Sequence, residues 1–146
     1  MADDEVLTNA GFALEWDSTE LATFTEVSGI KMEIEAIEWR ENTADGKSVV
    51  RKERGPLKWD DITLKRRVTK SKALSEWLKA ARDGDMSAAR KNGSIVAKDS
   101  QRNEVQRWNF TRGWVKSHEI SAGDSKSGSD MVTETVIIAH EGIEWA

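Results

Sequence analysis

The residues of this chain that could make or break bonds are few and badly spaced for it. Its two histidines, His118 and His140, are each followed by a glutamate. In an extended strand neighbouring side chains point to opposite faces, so neither His–Glu pair can close on one metal ion. The segment Gly123-Asp124-Ser125-Lys126-Ser127-Gly128 has the glycine spacing of a phosphate-binding loop. It lacks the lysine and following hydroxyl at the required positions, and no helical pattern comes after it. Asp83-Gly84-Asp85 is too short for a calcium loop and reads as a helix stop. Ser28-Gly29 lacks the glycine two residues before the serine that a nucleophile elbow needs. With no cysteine there is no thiolate nucleophile, thiolate metal site or disulfide. These residues predict no catalytic centre, no bound metal and no cofactor.

Tryptophan is the one chemically distinctive residue that is abundant, with seven copies. Aromatic platforms stack bases and sugars, so a small β-domain binding carbohydrate or nucleic acid through tryptophans is the alternative function. A net charge of −4 weighs against nucleic acid, because phosphate-binding domains carry a basic excess. Trp77 falls on a helical apolar stripe, and Trp16, Trp39 and Trp108 fall on alternating strands. That placement predicts packing in a core or a subunit interface. A small hydrolase on a β-scaffold ranks last, since no nucleophile–base pair is visible.

The length of 146 residues predicts a single domain, able to bury roughly 68–70% of its unfolded surface without metal or disulfide. The hydrophobic fraction is low at 38% and the charged fraction high at 33%, which implies a modest core that relies partly on neighbours. The start, Met1-Ala2-Asp3-Asp4-Glu5, is acidic and without an apolar run, and no stretch approaches the ~18 apolar residues of a membrane helix. The expectation is a soluble, cytosolic product.

The elements follow from periodicity. Residues 11–16 and 20–27 predict a hairpin around Asp17-Ser18-Thr19, with Phe12, Leu14 and Trp16 on one face. In the run Lys31 to Arg40, Met32, Ile34 and Ala36 share one face while Ile37 and Trp39 take the other. That change of phase predicts a β-bulge near Ala36-Ile37. Residues 41–57 read as a long charged loop containing Asp45, Gly46 and Gly55-Pro56, of a length usually tied to function. A strand at 59–67 places Ile62 and Leu64 inward, with Thr63 and Lys65 outward. Ser71 is an expected N-cap for a helix of about 71–83, since Leu74, Trp77, Leu78 and Ala81 recur at i, i+3, i+4 and i+7. Gly84 ends it, and a short helical turn can follow Asp85. Strands are expected at 93–98 and 104–120 with a bend at Gly113, then a Gly/Ser-rich loop over 121–130, then a strand from Met131 to His140. The fold class is mainly β with one α-helix.

The order of several short motifs resembles a known family. Phe12 precedes Phe24-Thr25-Glu26-Val27-Ser28-Gly29-Ile30, the acidic strand Glu33-Ile34-Glu35 and Gly55-Pro56-Leu57-Lys58-Trp59. Asp61-Ile62-Thr63-Leu64-Lys65-Arg66, the helix with Trp77, Trp108-Asn109-Phe110, Trp114-Val115-Lys116 and His140-Glu141-Gly142 follow. This pattern, from about residue 10 to 143, resembles the tail tube proteins of contractile phage tails and phage-tail-like contractile injection systems. Arg67 stands where a glycine often follows the strand arginine in that family.

The resemblance implies a β-sandwich or split barrel, related in fold to the haemolysin co-regulated protein of type VI secretion. It also implies hexameric rings stacked into a hollow inner tube, with a contractile sheath protein around it and baseplate and tube-terminating proteins at its ends. Protein or DNA cargo would pass along the lumen. Within that frame, Lys47, Arg51, Lys52, Glu53 and Arg54 of the charged loop are expected to form contacts between subunits or rings. Lys31–Arg40 and the strand 59–67 are expected to pair as neighbours and to present Glu33, Glu35, Lys65 and Arg67 to the lumen.

Overall fold

The computed structural model describes residues 11–16, 19–69, 72, 74–122 and 132–146. It divides into two units, Met1–Ile30 with Asp61–Ala146, and Lys31–Asp60. In the larger unit, two-residue alternation gives β1 (Gly11–Trp16), β2 (Thr19–Phe24), β3 (Glu26–Ser28), then β6 (Ile62–Arg67), β7 (Lys91–Lys98), β8 (Glu104–Ser121), β9 (Thr133–Ala139) and β10 (Gly142–Trp145). The smaller unit holds β4 (Met32–Asn42) and β5 (Ser48–Trp59).

The larger unit is antiparallel, in the order β2-β1-β7-β8-β9-β6-β3, with β10 also on β8. One of its strands is shared between two sheets, and the chain crosses from one sheet to the other at a second place. β8 pairs with β7 and β10 along its first half and with β9 along its second. It bends between those halves at Arg112, whose φ of 49° is the left-handed region. The Arg112 N–H donates to Asn92 Oδ1 at 2.9 Å and so holds the bend. A side chain at Gly113 would collide with the Phe110 ring, so the bend needs glycine there. The chain β2–β3 turns likewise at Thr25, whose N–H donates to the Lys65 carbonyl at 2.9 Å. β2 pairs with β1 in the first sheet, and β3 pairs with β6 in the second. The result is a split barrel, with β2-β1-β7-β8-β10 facing β3-β6-β9-β8.

Its core is apolar from both sides. Leu14, Phe24, Ile95 and Phe110 come from the first sheet, and Ile62, Leu64, Val136 and Ile138 from the second, each no more than 2% exposed. Helix α1 (Ser75–Arg82) and the short α2 (Met86–Ala89) pack beside them. Trp77 locks this corner. Its ring lies 5.5 Å from that of Trp16, and its indole N–H donates to the Ala89 carbonyl. Asp85 caps α2 by accepting from the Ala88 N–H. The expected cap Ser71 and most of the Gly/Ser-rich loop lie outside the described residues. Among the described residues no helix is long and apolar enough to cross a membrane.

Three expectations are corrected. Residues 41–57 are not a loop: the chain turns only at 43–47, and 48–59 is a strand hydrogen-bonded to β4. Gly55 and Pro56 suggested a loop because both disfavour regular strand, but a bulge on an edge strand accommodates both. The bulge lies opposite Glu35 as a register shift between Ile34 and Ala36, and the extra residue is on β5 rather than near Ala36-Ile37 on β4. Lys31–Arg40 does not pair with the strand after Trp59, because β6 lies between β3 and β9. β10 was not anticipated.

Removing the Trp77 ring empties a fully buried site. Trp77→Ala is expected to destabilise the isolated subunit by about 3–5 kcal/mol, measured by thermal or urea unfolding. An unchanged melting temperature would contradict its role as the anchor of this corner.

Candidate functional site

The smaller unit is a two-stranded ribbon. Its turn is closed by the Thr43 N–H donating to the Lys47 carbonyl at 2.8 Å and the Gly46 N–H donating to the Thr43 carbonyl at 3.0 Å. The expected contact residues all lie here, with Lys47 in the turn and Arg51, Lys52, Glu53 and Arg54 on β5 opposite Trp39, Glu38, Ile37 and Ala36. Two of these charges are paired inside the ribbon, Arg51 with Glu41 at 3.0 Å and Lys52 with Glu38 at 3.6 Å. Both pairs are well exposed and add little stability of their own. Apart from Gly55 no residue of the ribbon is buried. Among the described residues it carries Met32, Ile34, Ile37, Trp39, Val50 and Leu57, six of the ten large apolar side chains that remain exposed. A two-stranded ribbon is marginal alone in water, and this one leaves these apolar side chains exposed.

The second sheet has one face to the core and one to solvent. Register places Glu26, Lys65, Thr135 and Glu119 in one row across β3, β6, β9 and β8. The next row is Ser28, Thr63, Ile137 and Ser117, and Arg67, Thr133 and Ser121 form a third. The face is therefore hydroxyl-rich, with two acids and two bases. Lys65 and Arg67 share it, as the alternation of β6 requires. Glu33 and Glu35 do not, since they lie on the ribbon.

Behind that face lies a cluster that sequence reasoning missed. Arg66 and Glu134 are 8% and 5% exposed, and Arg66 Nε donates to Glu134 Oε2 at 3.0 Å. His118 Nε2 stands 2.9 Å from Glu134 Oε1, and the guanidinium lies 5.3 Å from the Phe24 ring centre. Strand periodicity did mark Arg66 and Glu134 as inward positions, because they alternate in phase with Leu64 and Val136. Their charge masked that signal. Every polar group of the cluster has a partner, as burial of charge demands. His118 thus meets Glu134 across the strands and not its sequence neighbour Glu119.

Among the tryptophans, Trp16 and Trp77 meet as tilted rings, and Trp39 and Trp145 belong to different units. An open groove of about 560 Å³ runs between α1 and β8, lined by Leu78, Ala81, Trp114 and Val115 with Lys79, Arg82 and Lys116 on its rim. Among the described residues no three His, Asp or Glu side chains converge as a metal site.

The family model of the T4-like virus tail tube protein gp19 matches residues 8–144. Among solved structures, a chain of the sheath–tube complex of the extracellular contractile injection system PVC, in its extended state, is similar with a TM-score of 0.76 and 18% identity. The match covers 99% of this chain and 94% of that one. A chain of the anti-feeding prophage baseplate has a TM-score of 0.74 at 13% identity, covering 98% and 97%. Hcp1 from Flavobacterium johnsoniae has a TM-score of 0.52 at 16% identity, covering 93% and 94%. At these identities the likeness is one of fold. No curated protein matches in sequence.

Cutting Glu134 back leaves the Arg66 charge buried without its carboxylate. Glu134→Ala is expected to cost about 3–5 kcal/mol in urea unfolding, and Arg66→Met with Glu134→Leu to recover most of it. Equal loss in the single and double variants would show that shape rather than charge governs this position.

Proposed function

This chain belongs to the T4-like virus tail tube protein family, and we propose that copies of it close into six-membered rings that stack into a hollow tube. It is a structural inner-tube subunit, part of a phage tail or tail-like particle. The observation that carries the ring arrangement is the solvent-facing side of the second sheet. A channel wall needs a polar, hydroxyl-rich surface, and this sheet provides one across four strands. Glu26 and Glu119 balance Lys65 and Arg67, so the wall would be hydrophilic without retaining a polyanion, as a strongly basic wall would. Glu26 lies directly across from Lys65, in the register where cross-strand pairs are worth about 0.2–1 kcal/mol each.

Open strand edges supply the means of closure. Among the described residues, neither the outer edge of β10 nor the edge of β8 beyond Gly113, away from β9, has a strand partner. Such edges invite pairing with another chain, and ring closure removes them. In this reading Lys65 and Arg67 face the lumen. Glu33 and Glu35 join Lys47, Arg51, Lys52, Glu53 and Arg54 on a surface between subunits.

A contractile sheath around the tube, a baseplate and a terminating cap at its ends, and protein or DNA cargo within it complete the proposal. Similar chains occur in a sheath–tube complex, a baseplate and a tube-terminating cap. Assembly in the cytosol and a purely structural, non-enzymatic role belong to the same reading.

Because the chain has no cysteine, single cysteines report position directly. In tubes seen by electron microscopy, Lys65→Cys and Glu119→Cys are expected to react with a small maleimide but not with one too bulky to enter the bore. Equal labelling of either variant by both reagents along the tube would remove that face from the lumen. Hydrogen exchange over 32–59 is expected to slow on assembly, and equal exchange in subunit and tube would place the ribbon outside every interface.

A further inference from the structure

The ribbon's apolar side chains change face half-way along. Strand β4 alternates without interruption, so Met32 and Ile34 lie on one face and Ile37 and Trp39 on the other. In β5 the apolar residues Val49, Leu57 and Trp59 are all odd-numbered, and in a regular strand they would share one face. The bulge at Gly55-Pro56 prevents that. Leu57 and Trp59 pair with Ile34 and Met32, whereas Val49, on the far side of the extra residue, pairs with Glu41 in phase with Trp39. Sequence and bulge therefore change phase together. The half of the ribbon near its root is apolar on the first face, and the half near its turn is apolar on the second. Only Val50 departs, lying beside Arg40 on the first face.

We infer that in the assembled tube the ribbon is held between two different copies of the chain, one against each face. This rests on the tube reading above, which places copies of the chain in more than one direction around each subunit. A single flat partner covers one face and leaves the other apolar set in water. The halves are also separated in reach: Lys31 to Asn42 spans about 36 Å at roughly 3.3 Å per residue, and the change of face comes about 16 Å out.

Charge on each face suits an apolar partner. Lys52–Glu38 lies on the first face and Arg51–Glu41 on the second, so the ribbon brings these counter-charges itself. The larger unit of another copy supplies exposed apolar groups of the matching kind, Ile120 at 49% and Trp145 at 65% exposure, beside open strand edges.

The test uses cysteines at Ile34 (first face) and Trp39 (second face), each exposed and so replaceable without loss of fold, carrying a short photo-crosslinker joined through maleimide. Labelled subunits are diluted into a large excess of wild-type chain before assembly, so that each sits among unlabelled neighbours. Each single variant, Ile34→Cys or Trp39→Cys, is expected to yield covalent dimers after illumination, and the double variant covalent trimers. Dimers alone from the double variant would mean that both faces meet the same copy, and the inference would fall. It would fall equally if either single variant gave no crosslink in intact tubes. If wild-type chain assembled into neither rings nor tubes, the tube reading itself would fail, and the two-copy arrangement with it.

Discussion

The body of this protein depends on one strand serving two sheets. Strand β8 is 18 residues long, and it hydrogen-bonds to β7 and β10 before Arg112 and to β9 after it. Its backbone has to bend at Arg112-Gly113, and the bend leaves no room for a side chain because the Phe110 ring fills the space. That ring also closes on Gly93 of β7, where an added Cβ would come within 2.6 Å of it. One aromatic ring set between two glycines thus fixes the angle between the sheets. From that angle follow the enclosed core, the corner filled by Trp77, and the single solvent-facing side of the second sheet.

The two units solve the problem of apolar surface differently. In the larger one Leu14, Ile95, Leu64 and Ile138 are buried by the chain's own fold, so its stability is internal. The ribbon exposes Trp39 and Ile37 by 41% and 49%, and pairing with its own second strand cannot hide them. A chain with only 38% hydrophobic residues places most of its buried ones in the larger unit and leaves the ribbon's apolar set exposed. Gly29 marks the root of this division: it has a φ of 85°, and its Cα lies so close to the Asp61 carbonyl that any Cβ would clash. Gly29 and Asp61, near the two ends of the larger unit's interrupted chain, are therefore packed backbone to backbone.

The buried Arg66–Glu134 pair, with the more exposed His118 beside it, lies on the core side of the second sheet, behind its polar face. A buried ion pair is weak evidence for stability, since desolvation offsets much of the attraction. Here it has a positional consequence. Arg66 and Glu134 are cross-strand partners on β6 and β9, so their pairing fixes the register that aligns Lys65 with Thr135 and Arg67 with Thr133 on the opposite face. A slip by one residue would turn Lys65 inward and the buried charges out into solvent.

The sequence by itself determined which residues share a face, because strand and helix periodicity are properties of the local backbone. It marked Ile62 and Leu64 as inward, Lys65 as outward, Trp77 as the helix anchor, Gly113 as a bend and the phase change after Ala36. The order of its motifs also carried the family resemblance. Periodicity does not name a strand's partner. Lys31–Arg40 could as well have paired with the strand at 62–67, and only closure of the split barrel, with β6 held between β3 and β9, excluded it. Gly55-Pro56 suggested a loop because propensity is local, and strand pairing with β4 overrode it. Glu134 was hidden for a related reason: a carboxylate at an inward position is tolerable only opposite a guanidinium 68 residues away in the chain, and folding alone brings the two together.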